Sequence, residues 1–177
     1  MTSHLDWWPE RTVVSTDDIV VSDVSLRRLV EVCGTPAVHS GASANSSLGG
    51  HGPTAERTAV LVVRVVAMAR HRSGSRVVQV DARLDNLRLI WSQARRVGGP
   101  KTARHRDALI VRRPSRADIA ETADVFSAAL PANLRVGDLI AVPSRPFPVD
   151  PEHPRHPLTG RPDGTPESIF DSNLQFS

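Results

Sequence analysis

The chain has 177 residues, 40% of them hydrophobic and 23% charged, and its 22 basic against 19 acidic residues leave a formal charge of only +3. That length and apolar content suit one globular domain with irregular ends, while a single cysteine excludes an internal disulfide framework and agrees with a reducing cytoplasm. The sequence pI of 10.3 reflects arginine's high pKa more than a large excess of charge, and no apolar run approaches the length of a membrane span.

Residues 1 to 11 are acidic and aromatic with no basic-then-apolar order, which is not the pattern of a signal peptide. A soluble, cytoplasmic protein is expected. Val13-Val14 and Ile19-Val20-Val21 flank Ser15-Thr16-Asp17-Asp18, turn chemistry between two β-rich pieces, and predict a short hairpin. Val24, Leu26, Leu29, Val30 and Cys33 then fall at helical spacing, with Ser25 near the start and Gly34 at the stop. Cys33 belongs to the apolar side of this helix and is expected to act as a small buried hydrophobe.

Residues 40 to 53 are rich in Ser and Gly and have linker composition. From 59 to 69 the chain is nearly continuous in Val, Ala and Leu, and β-branching at Val60, Val62, Val63, Val65 and Val66 predicts a long strand rather than a buried helix. His71-Arg72-Ser73-Gly74-Ser75-Arg76 reads as the turn into a strand at Val77 to Val80. Further strands are predicted over 108–111 and 139–142. The stretch 118–130 stays open between a helix and a mixture of strand and loop. Basic residues gather between Arg95 and Arg116, a patch that could bind phosphates or stand as a solvated loop and strand face, and aromatic residues at only 4% of the chain leave nucleic acid a minor reading. Beyond 147, Pro148, Pro151, Pro154, Pro157, Pro162 and Pro166 prevent regular ladders and predict an extended tail over 148–177. His153 and His156 in that tail lack the partners of a metal site. No Walker loop, nucleotide fingerprint or Gly-x-Ser-x-Gly elbow is present.

The stretch 20–38, a short helix running into Gly34-Thr35-Pro36, resembles the opening segment of diaminopimelate decarboxylases and related fold-type III pyridoxal-phosphate (PLP) decarboxylases. Glu56-Arg57, Val80-Asp81-Ala82, Asp85-Asn86-Leu87-Arg88-Leu89-Ile90-Trp91, Glu121-Thr122-Ala123-Asp124, Leu130-Pro131, Arg135-Val136-Gly137-Asp138 and Phe147 follow in the order of that family's carboxy-terminal barrel. The resemblance implies a mainly β fold: a closed, Greek-key-like barrel over 1–147 with one or two short helices, and an irregular Pro-rich tail. Residues 40–53 then stand as a linker where the family has its whole TIM barrel.

The departures from the family are chemical. A PLP enzyme needs a poised amine to hold the cofactor, and the one lysine, Lys101, sits in the loop-like Gly98-Gly99-Pro100-Lys101-Thr102. Where the family has its barrel cysteine, Ala120 has no proton to give, and Phe147 lacks the hydroxyl of the family's terminal tyrosine. No PLP, other cofactor or metal is therefore expected. Two substrate-side positions match: Glu121 corresponds to the glutamate that meets a distal amine, and Arg88 to an arginine that clamps a carboxylate, a task its planar fork suits.

Two functions follow. The first is a pseudo-enzyme or partner module that binds a decarboxylase-like protein or a small amino-acid-derived ligand carrying a carboxylate or an amine. The family's sites are shared across a dimer, so a homodimer or a related hetero-partner is expected, with neither nucleic acid nor membrane. The alternative is a cofactor-independent cyclase or isomerase of specialised metabolism, with Glu121 and Asp124 moving protons and Arg88, Trp91, Phe126 and Phe147 holding substrate in an apolar pocket.

Overall fold

The computed structural model describes residues 5–44, 56–82, 88–99, 104–112 and 125–148. The predicted hairpin forms as β1 (Thr12–Val14) and β2 (Ile19–Val21), antiparallel with Thr12 opposite Val21. Its turn is closed by the Ser15 hydroxyl, which accepts the Asp18 N–H at 2.9 Å. β3 (Val24–Ser25) adds a third short strand and leads into α1 (Leu26–Cys33). Ser25 caps that helix by accepting the Arg28 N–H at 3.0 Å. Asp18 serves both elements: Oδ1 accepts the N–H of Ile19 at 2.8 Å and of Arg27 at 3.0 Å, and Oδ2 accepts the Ser25 hydroxyl. Gly34, at φ +78°, ends the helix and returns its N–H to the Val30 carbonyl at 2.8 Å.

The main sheet is built on one long strand, β5 (Glu56–Arg70), around which β4 (Ala37–Ala42), β6 (Arg76–Val80), β7 (Arg95–Arg96), β8 (His105–Arg112), β9 (Val125–Pro131), β10 (Leu139–Pro143) and β11 (Phe147–Pro148) assemble. β4 runs antiparallel along its first half, Ala37 opposite Val62, and β6 along its second half, Arg70 opposite Arg76, with a register shift between Val65 and Ala67. β10 and β11 pair with it at Leu139–Arg64 and Phe147–Arg57. The strand order is β7-β10-β5-β6-β8-β9, and β6 and β8 lie parallel. These strands make a mainly β, curled half-barrel.

A strand buried on both faces has no need of polar alternation, which explains the unbroken apolar run. Leu61, Val63 and Val65 pack inside the curl with Val78, Val80, Ile110, Leu130, Ile140 and Val142. Val60 and Val62 point the other way and pack with Ala141 against Trp8, Ile19, Val21, Leu26 and Val30. The hairpin and α1 therefore roof the outer face of the sheet. Fully burying a Val, Leu or Ile side chain is worth about 1.5–3 kcal/mol, so this doubly packed strand is the energetic centre of the fold.

Two sequence expectations are corrected. Cys33 is exposed: the packed stripe of α1 ends at Val30, and the last turn is uncovered, with Val32 71% exposed. Residues 40–42, read as the start of a linker, belong to β4. Gly41 is there for close approach, since a Cβ on it would lie 2.5 Å from Ser22 Oγ and 2.9 Å from Pro9 Cβ. Residues 45–53 of the expected linker and the tail from 149 lie outside the described residues.

Candidate functional site

Trp91 opens a 3-10 turn (Trp91–Gln93) and is only 5% exposed. Its ring stacks on Phe126 of β9, with centroids 6.0 Å apart and 30° between the planes. Both belong to the packing inside the curl, so this aromatic pair fills the interior. The Trp91 Nε1–H is buried with no partner among the described residues.

Arg88 is exposed, and its carbonyl accepts the Arg145 N–H at 2.8 Å. Leu89 bridges to Ser144, and the Ile90 N–H reaches the Pro143 carbonyl at 2.8 Å, so this segment flanks the end of β10. Phe147 is half-buried in β11, opposite Arg57. Of the six residues singled out from the sequence, the structure joins Trp91 with Phe126 and leaves Arg88 at the surface. Glu121 and Asp124 lie outside the described residues, as do Lys101, Ala120, His153 and His156.

A different constellation appears at the far end of β5, β6 and β8. There a cleft of 310 Å³ is lined by Arg70, Ser75, Arg76, Arg106, Asp107 and Ser127, among others. Strand register creates it. Arg70 stands opposite Arg76 across β5 and β6, and Arg76 stands opposite Ala108 across the parallel pair, which leaves Arg106 two residues away. The turn between β5 and β6 is set by Gly74 at φ +84°, whose N–H bonds the His71 carbonyl at 2.8 Å.

Arg76 is the anchored member. Its Nη1 donates to the Pro131 carbonyl at 2.9 Å, while Nε and Nη2 are closed off from solvent without a hydrogen-bond partner among the described residues. Burial, and secondarily the charge of Arg106, lower its pKa from the ordinary arginine value. None of the ion pairs among the described residues, Arg11–Asp23, Arg28–Glu31 and Arg96–Asp138, involves this cleft. The sequence held two clues, the turn ending in Arg76 and the basic patch containing Arg106. Only the parallel pairing of β6 and β8 brings them together.

Among the described residues no group of three or more His, Cys, Asp or Glu side chains is placed to hold a metal ion, and no helix is long and apolar enough to cross a membrane.

No protein-family model and no curated protein matches this sequence. Among solved structures, the chain is similar to a crystal structure of diaminopimelate decarboxylase, with 16% identity over 48% of this chain and a TM-score of 0.36. The match covers 23% of that chain, so this protein spans less than a quarter of its length.

Proposed function

We propose that this protein is a non-catalytic association module: a curled β half-barrel of the decarboxylase carboxy-terminal type that works by binding another chain rather than by PLP chemistry. The observation that carries this is the packing inside the curl. Trp91 and Phe126 occupy the space inside the curl where an apolar substrate pocket was expected, while Arg88 is exposed. The cyclase or isomerase alternative needs Arg88 and these rings around one cavity, and so draws no support from this packing.

The character of β9 supports association. It pairs only with β8 among the described residues, and its seven residues, Val-Phe-Ser-Ala-Ala-Leu-Pro, include no charge. Sheet edges in proteins that stay monomeric are usually guarded by charged side chains, proline or a covering loop; β9 carries proline only at its last residue, Pro131, and an open edge offers its backbone to another strand. Val125 at its start is 55% exposed. The partner is a second copy of this chain, joined edge to edge, or a related barrel. The order of sequence motifs shared with the decarboxylases favours such a partner, since that family's barrels already meet across a dimer.

Light scattering coupled to size exclusion tests the assignment. The full chain is expected at twice its monomer mass, and Val125→Lys with Ala129→Lys is expected to return it to monomer with its circular dichroism intact. In parallel, mixing with PLP is expected to give no aldimine absorbance. A wild-type monomer that also fails to retain a decarboxylase-like protein in a pull-down, or an aldimine band that persists after gel filtration, overturns the assignment.

A further inference from the structure

We propose that the arginine cleft at the ends of β5, β6 and β8 is a binding site for a small phosphoryl-bearing molecule. This goes beyond the association role and does not depend on it.

Arg70, Arg76 and Arg106 reach one 310 Å³ space from three different strands, and Asp107 is the one carboxylate lining it among the described residues. Arginine stays protonated in proteins, so three guanidinium groups against one carboxylate leave a formal +2 in this space. Like charges gathered in this way repel, and the ion pairs formed among the described residues offer them no relief. A phosphate monoester, at about −1.5 to −2 near neutral pH, neutralises that excess.

The three arginines have different parts. Arg76 is held by the Pro131 carbonyl, and its Nε and Nη2 are shut away from solvent. It therefore supplies fixed positive charge from behind the cleft rather than a surface contact. Arg70 and Arg106 are exposed, so their forks are free to swing onto phosphate oxygens and pair with them bidentately. Ser75 and Ser127 line the same space and bring hydroxyl donors. Donors arriving from several strands suit a tetrahedral group with three free oxygens better than a flat carboxylate, which one fork satisfies. The volume matches the small end of metabolite pockets.

The test is a titration of the full chain with inorganic phosphate at constant ionic strength, followed by phosphorus-31 line width and by thermal midpoint, with malonate and chloride as controls. Saturable phosphate binding is expected, at least about tenfold weaker in Arg70→Gln/Arg106→Gln, with circular dichroism unchanged. Arg76→Met, which replaces the half-buried charge by an apolar chain of similar length, is expected to weaken binding as well. Phosphate effects that do not saturate, that chloride reproduces, or that survive the double substitution overturn the site. Malonate binding more tightly than phosphate overturns the phosphoryl assignment.

Discussion

The Thr35 hydroxyl donates to Asp81 Oδ2 at 2.5 Å across 46 positions of sequence, while Oδ1 of the same carboxylate accepts the Arg64 N–H at 2.8 Å. The Asp81 N–H in turn reaches the Arg64 carbonyl at 3.2 Å. One side chain thus ties together the turn before β4, the middle of β5 and the end of β6, at the point where β5 changes partner from β4 to β6. Asp81→Ala removes two bonds to a charged acceptor and leaves a backbone donor of β5 unpaired, and each such bond contributes about 1.5–3 kcal/mol. Asp81 is only part-buried, so water replaces part of what is lost, and a loss of about 2–4 kcal/mol is expected in urea unfolding, with Asp81→Asn losing less. A change under about 0.5 kcal/mol, the usual range for an unremarkable surface position, would contradict this role.

Trp91 is a core residue, and stability is the measurement that separates this from a ligand-contacting role. Trp91→Ala is expected to cost about 3–5 kcal/mol, in line with other large aromatic truncations. Trp91→Phe keeps most of the volume and breaks no hydrogen bond, because Nε1 has no partner among the described residues, so it is expected to cost under about 1.5 kcal/mol. If Trp91→Ala unfolds at the wild-type denaturant concentration, the ring is not packed as described.

His39 makes stability depend on pH. It lies on β4, and burial lowers its pKa from the ordinary 6.5; a hydrogen bond to the Val21 backbone opposes this, and the charge of Arg57 adds to it. Its Nε2 is buried without a partner among the described residues. The unfolded chain takes up this proton around the ordinary histidine value, while the folded chain resists it until a lower pH. The stabilising difference is therefore complete above that ordinary value and is lost as the pH falls from there through the lowered one. Urea midpoints measured across this window should fall with acidification and fall less steeply in His39→Gln. Parallel curves for the two proteins would remove His39 as the cause.

Gly41→Ala tests how closely the amino-terminal segment lies on β4. The added methyl would meet Ser22 Oγ at 2.5 Å and Pro9 Cβ at 2.9 Å, and the Glu10 N–H bonds the Ala42 carbonyl at 2.8 Å alongside. The backbone must shift or the contact must open, at a cost of about 1–3 kcal/mol typical of overpacking. Faster proteolysis of the first strand should accompany the loss of stability. Wild-type stability and proteolysis would mean that the segment does not lie on β4 this way.

The elements legible in the sequence are those whose causes lie within a few residues. The β1–β2 turn closes on Ser15 and Asp18, α1 starts at Ser25 and stops at Gly34, and β5 announces itself by β-branching. Each is set by hydrogen bonds or side-chain sterics that the local chain carries with it. Tertiary structure decided the rest, because the deciding contacts join distant residues. Gly41 reads as linker until Pro9 and Ser22 lie against it. Cys33 reads as core, yet among the described residues no neighbour covers the last turn of α1. Trp91 reads as a pocket wall until Phe126 arrives on β9 to stack with it. Arg76 and Arg106, 30 positions apart, share a cleft because β6 and β8 pair in parallel, and no pattern of spacing along one strand records which strand will lie beside it.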